Sequence, residues 1–275
     1  MTTRLPHRTA AAPQGVWRWA VGGVLLGALA ATGCWAPARW LAWGLSEASQ
    51  GHILLQAPRG TVWQGSAQLG LSGGAGSLDQ QALPGRLNWT LGPSAQGWGL
   101  ALTLHADCCM REPLQVQLTA QLGQWGLRLG QHQSMWPAGL LSGLGAPWNT
   151  LQPEGQLQLR TDALQLQWSA GRLQWQGLAE LTARDMSSRL STLRPMGSYQ
   201  IQVTGAADGA FTATPQVQLR TLSGALQLKG QGQWLGERLR FTGEASAAEG
   251  QEDNLSNLLN IIGRRDGTRS LLSLG

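Results

Sequence analysis

The sequence predicts an all-β protein: a curved antiparallel meander of two related β units, with an N-terminal transmembrane helix and a short C-terminal helix. Three observations carry this expectation. Apolar and polar residues alternate with period two through most of the chain, and Gly, Pro and Ser interrupt them at strand-length intervals. Only 13% of the 275 residues are charged, against 38 Gly and 14 Trp, where an average soluble domain has about 25% charged residues. The polar surface is therefore amide and hydroxyl, which suits half-exposed strands better than helix surfaces built on Glu, Lys and Arg.

The first element is the N-terminal helix. Arg4, Arg8 and Arg18 precede an uncharged stretch from Trp19 to Trp35, rich in Gly, Ala, Val and Leu. Basic residues ahead of an apolar span keep the start in the cytoplasm and send the rest outward, and Arg18 can snorkel to lengthen the span. Residues 1–45 are thus expected to form the cytoplasmic start and a single-pass inner-membrane anchor in contact with lipid, with the rest in the periplasm of a Gram-negative cell. Two other fates fit the same stretch. A cleaved secretory signal would use Ala28, Ala30 and Ala31, and Leu29 to Cys34 loosely matches a lipoprotein signal that would lipidate Cys34. Trp35, Arg39, Trp40 and Trp43 form an aromatic belt suited to an uncleaved anchor.

The body alternates strictly in Gly155 to Arg160, Leu164 to Trp168, Arg172 to Trp175 and Gln200 to Val203. Further runs lie at 87–91, 100–104, 114–122, 217–219, 226–228 and 239–241. Short links such as Ser169-Ala-Gly171 and Leu222-Ser-Gly224 make neighbours antiparallel hairpins. A repeat is visible: Trp63-Gln-Gly-Ser-Ala-Gln-Leu69 recurs 112 residues later (175 − 63) as Trp175-Gln-Gly-Leu-Ala-Glu-Leu181. A Pro/Gly element and an aromatic strand follow each copy. The expected organisation is a first β unit at 46–134, a connector at 135–153, a second β unit at 154–248 and a helical tail at 249–275, with the repeat tryptophans in the core. The connector opens on a helix-compatible turn and ends in a Pro-bounded loop. In the tail, Leu255, Leu258, Leu259 and Ile262 make one helical stripe that should cover a sheet face or edge. Asp253 reads as its cap, Gly263 as its stop, and Arg264 and Arg265 suit its C-terminus.

Chemistry is sparse. His7, His52, His105 and His132 sit in unrelated contexts, and no nucleophile elbow, phosphate loop or zinc-binding helix motif occurs. Glu180 and Asp185 lie about a strand apart, which gives no support for a paired-carboxylate site. No catalytic residue, cofactor site or metal site is expected. His105, Asp107, Cys108 and Cys109 form the one cluster of reactive types. Cys108 and Cys109 read either as two half-buried thiols at a strand end or as a vicinal disulfide. The net charge is +5, but Arg59, Arg86, Arg111, Arg128, Arg160, Arg172 and Arg220 lie singly beside strand-like sequence and Lys229 is the only lysine, so nucleic acid is not an expected partner.

Four segments carry a family likeness: Pro58-Arg-Gly-Thr-Val-Trp-Gln-Gly65, Leu140 to Leu157 with Ala146-Pro-Trp-Asn-Thr150 inside it, Pro195-Met-Gly-Ser-Tyr199, and Leu258-Leu-Asn-Ile-Ile-Gly-Arg-Arg265. With them the chain resembles protein N of the type II (general) secretion pathway over nearly its whole length. The resemblance implies a bitopic inner-membrane protein with a periplasmic β domain. It also implies an accessory, non-enzymatic role in moving folded proteins across the outer membrane, in contact with other inner-membrane components of that system. From the residues alone a second function stays open: a tethered β groove that binds lipids or passes them between membranes.

Overall fold

The computed structural model describes residues 14–95, 98–121, 123–169, 172–205, 210–212, 214–235 and 238–274. It falls into two units, one ending at Ala36 and one running from Pro37 onward. The first contains helix α1, Gln14–Cys34, of 21 residues. Glycines, tryptophans and Arg18 dilute its apolarity, and no helix among the described residues is long and apolar enough to cross a membrane. His7 lies outside the described residues.

The second unit opens with an element that was not expected. Helix α2, Ala38–Ala48, occupies the stretch read as a membrane belt. Ala38, Leu41, Ala42 and Leu45 follow helical spacing and pack into the core, while Trp40 and Trp43 stay exposed.

One antiparallel sheet follows. Its first half comprises β1 (Ile53–Gly60), β2 (Gln64–Ser72), β3 (Gln80–Ala82), β4 (Leu87–Pro93), β5 (Gly99–Ala106), β6 (Leu114–Gln121), β7 (Gln124–Leu129) and β8 (His132–Pro137). After a 3₁₀ segment at Ala138–Leu144 and the short helix α3 (Trp148–Leu151) come β9 (Glu154–Ser169), β10 (Arg172–Ser187), β11 (Gly197–Thr204), β12 (Gln216–Gly224), β13 (Leu226–Leu235) and β14 (Arg238–Ala247). Helix α4 (Glu252–Ile262), β15 (Arg264–Asp266) and β16 (Arg269–Leu274) end the chain. The strand order is β1-β2-β4-β5-β6-β7-β9-β10-β11-β12-β13-β14-β16-β15, with β3 on β2 and β8 on β9. The stretches expected as two units therefore share one sheet.

The sixteen-residue strand β9 makes the junction. Its outer part, Leu164–Ser169, pairs with β7, and its inner part, 156–161, pairs with β8. The kink between them falls at Ala163, whose φ is 46°. Opposite it, Gly177 has φ +87°, and a Cβ there would meet the Ala163 carbonyl, so only glycine fits this bulge.

Two expectations about helical segments need correction. Met135, Trp136 and Pro137 belong to β8, because their backbones find partners on β9, so the connector begins only at Ala138. The tail does not end as a helix with basic residues at its C-terminus. Gln251 takes the N-cap position, Asp253 lies in the first turn, and Gly263 follows the helix in extended geometry. Arg264 and Arg265 then start a hairpin whose second strand, β16, pairs with β14.

The repeated elements share a register. Leu69 pairs with Leu55 as Leu181 pairs with Leu159, and Gln68 pairs with Gln56 as Glu180 pairs with Arg160. They differ beyond the bulge. The β1–β2 hairpin closes at once, leaving Trp63 just outside the strand and partly exposed, whereas β9–β10 continues, so Trp175 lies within a strand opposite Leu166.

Apolar residues concentrate on one face of the sheet, and helices cover that face near each end. Near the β1 edge, α2 closes over Leu55, Ala67, Leu87 and Trp89. Near the β16 edge, α4 presses Leu255, Leu258 and Leu259 onto Tyr199, Leu226 and Ala245.

Candidate functional surface

Of the residues singled out as reactive, His105, Asp107, Cys108 and Cys109 lie together at the end of β5, while Glu180 and Asp185 lie apart from them on β10. His105 Nε2 and Asp107 Oδ1 are 3.0 Å apart at the end of β5, with Asp107 projecting into solvent. Cys108 and Cys109 are joined to each other as a disulfide in the turn that follows. This turn is clamped from both sides: the Cys109 and Met110 amides donate to the Ala106 carbonyl, and the Met135 amide of β8 donates to the Cys109 carbonyl. Cys109 faces the core and Cys108 faces solvent. Glu180 sits opposite Arg160 in mid-sheet, while the Asp185 amide donates to Ser198 Oγ. Cys34 is a free, exposed thiol. Among the described residues, no group of three or more His, Cys, Asp or Glu side chains could hold a metal ion.

The polar face of the sheet carries shallow recesses. One of ≈ 490 Å³ is lined by Gln218, Arg220, Lys229, Gln231, Thr242 and Glu244. Its charges are already engaged. Glu244 lies 2.6 Å from Lys229 and 3.5 Å from Arg269, and the hydrogen bond from Lys229 holds its carboxyl below the usual range. Arg220 Nε donates to Gln200 Oε1 at 2.7 Å. Amides and paired ions of this kind can hydrogen-bond a partner.

His132 is a buried titratable group of a different kind. It begins β8 opposite Thr161, and its Nε2 has no hydrogen-bond partner among the described residues. Burial lowers its pKa, opposed by the charge of Glu112. A His whose folded pKa is depressed below the unfolded value of about 6.5 contributes stability that is intact above that pH and lost as the pH falls toward the folded pKa. Melting temperature is therefore expected to decline on acidification below about pH 6.5. In His132→Gln that decline should shrink. An identical pH profile in the variant would assign the acid sensitivity elsewhere.

The opposite face presents consecutive apolar rows, read off from directly paired residues. Leu91, Leu102, Val116, Leu129 and Leu164 form one row across β4, β5, β6, β7 and β9. Leu100, Leu118, Leu127, Leu166 and Trp175 form the next across β5, β6, β7, β9 and β10. The outermost row is Trp125, Trp168 and Leu173, at the ends of β7, β9 and β10. Exposure grows along this direction, from buried Val116 and Leu164 to 68% for Trp125. A family model for protein N of the type II secretion system matches this unit almost from edge to edge, over residues 52–271. The chain belongs to that family. No curated protein and no solved structure matches it. The matched range opens just before β1, closes inside β16 and includes α4, which folds onto the sheet. Trp63 and Trp148, in two of the segments that carry the likeness, are partly exposed; the tryptophan that fills the core is Trp89, which composition could not single out.

Proposed function

We propose that this member of the protein N family is an accessory inner-membrane component of the type II secretion machinery, single-pass, with its sheet in the periplasm. The observation that carries the reading is the family match across the whole sheet. The anchor is supported by α1: its 21 residues rise about 31 Å at 1.5 Å each, about the thickness of a bilayer's hydrocarbon layer. Its uncharged stretch follows Arg18, and Val24 and Leu26 are exposed, which suits an apolar surrounding. Partners are the other inner-membrane components of the system, met through surface rather than through a reaction.

Deleting the gene should leave type II substrates folded in the periplasm while their inward transport continues. Normal release of those substrates in the deletion strain would overturn the proposal. The open apolar face favours one second reading, a tethered groove that binds or passes lipid. Altered outer-membrane lipid with normal protein secretion would select it.

A further inference from the structure

The strand directions sort the loops onto two rims. The links β1–β2, β4–β5, β6–β7, β9–β10, β11–β12 and β13–β14 all fall on one rim, because each of these strand pairs closes toward the same end of the sheet. Large apolar side chains crowd there. Trp98 in the β4–β5 link is 91% exposed, Trp125 and Trp168 are directly paired, and Leu173 and Phe211 are exposed beside them. The Trp98 carbonyl accepts from the Ala120 amide, tying its link to the same row.

Arg172 and Arg238 open β10 and β14 at the tryptophan rim. Asp208 and Glu237 lie outside the described residues. The chain also enters the unit at the tryptophan rim, since Pro37 is bridged to Thr61 in the β1–β2 link.

A rim of solvent-facing tryptophans, with Arg172 and Arg238 beside them, matches the chemistry of a membrane–water interface. Indole rings sit at head-group depth with the ring in the apolar layer and the N–H toward water, and arginine favours anionic head groups. We infer that the Trp98–Trp125–Trp168 rim lies in the head-group layer of a phospholipid membrane, standing the sheet on that surface with the opposite rim away from it. This rests on the tethered reading above. It adds a second, independent membrane contact and brings the outermost apolar row of the sheet to the lipid.

The test uses the full-length chain with Cys34→Ser, reconstituted in vesicles of phosphatidylethanolamine and phosphatidylglycerol. An environment-sensitive fluorophore is placed by Trp98→Cys, Trp125→Cys or Trp168→Cys, and for control by Leu78→Cys, fully exposed in the link after β2 at the opposite rim. All four side chains are exposed enough for labelling, and thermal melts identify any variant that has lost the fold; Trp98, in a link, is the most tolerant. The three rim positions should emit to the blue of the control and be quenched by lipids spin-labelled near the head group, with the Leu78 position unquenched. If the chain floats with vesicles but rim and control probes are equally wet, the tether stands and the rim contact falls. A chain that does not float removes both. Rim probes that become dry only when other secretion components are added would replace the lipid contact by a protein interface.

Discussion

Replacing Leu259 by alanine is expected to lower the stability of the sheet unit by about 2–5 kcal/mol, the range for deleting a buried leucine. Leu259 is fully buried, as is Leu255, and Leu258 is nearly so. The three sit on one side of α4 against Leu226, Ala245 and Tyr199. The site has little room to collapse, because α4 is fixed on two sides. Ser270 of β16 donates its hydroxyl to the Leu259 carbonyl, and Ser191, in the β10–β11 link, donates to the Asn254 carbonyl. At about 2–4 °C per kcal/mol for a unit of this size, the loss should be plain in a thermal melt. Ile261→Ala on the exposed side of the same helix should change little. Equal melts for the two variants would mean that α4 is not a cover for the sheet. Removing everything from Glu252 onward goes further, since three buried leucines at about 1.5–3 kcal/mol each approach the total stability of an ordinary domain, about 5–15 kcal/mol.

Trp89→Ala is expected to be as damaging, at about 3–5 kcal/mol. The ring is almost wholly buried between α2 and the sheet, and its Nε1 donates toward the Thr61 and Val62 carbonyls at 3.3 and 3.1 Å. It lies over Gly65, where a Cβ would come 2.5 Å from a ring atom. Trp89→Phe should recover part of the packing without the hydrogen bond. Trp63→Ala and Trp148→Ala, at partly exposed positions, should cost less. In cells, Trp89→Ala should reduce both the steady-state amount of protein and secretion of type II substrates. A Trp89→Ala protein of normal abundance and melting temperature would contradict the burial described.

That contrast shows what the sequence could and could not reveal. Period-two alternation identifies β9, β10 and β11 because one face of each strand is wet, and the WQG repeat marks hairpins that do share a register. Whether a tryptophan is buried depends on how far its strand runs past its neighbour. Trp63 and Trp175 begin the same seven-residue motif, yet one hairpin closes immediately and the other continues. Helix α2 was hidden by its own exposed side, since Trp40 and Trp43 read as a membrane belt while the stripe of Ala38, Leu41, Ala42 and Leu45 is short. Strand β16, Arg-Ser-Leu-Leu-Ser-Leu, breaks the alternation and owes its place to pairing with β14. The tryptophan rim is the least local of all. Trp98, Trp125 and Trp168 come together only through the registers of β5, β6, β7 and β9, and no spacing along the chain encodes that. Of the reactive cluster, the adjacency of Cys108 and Cys109 was visible in the sequence, but the clamp from Met135 was not.

An open sheet has two margins, and unpaired strand margins invite foreign strands. Both are blunted here. On β1 the pairing register slips between Gln56 and Arg59, where Ala57 has φ 46° and Pro58 offers no amide hydrogen. At the other end β15 is only Arg264, Arg265 and Asp266, all exposed, too short and too charged to template a neighbour. Copies of the protein crowded side by side are thus kept from zipping into a continuous ribbon. Association with other proteins is directed to the faces and rims, where it can be reversed without unpicking a β ladder.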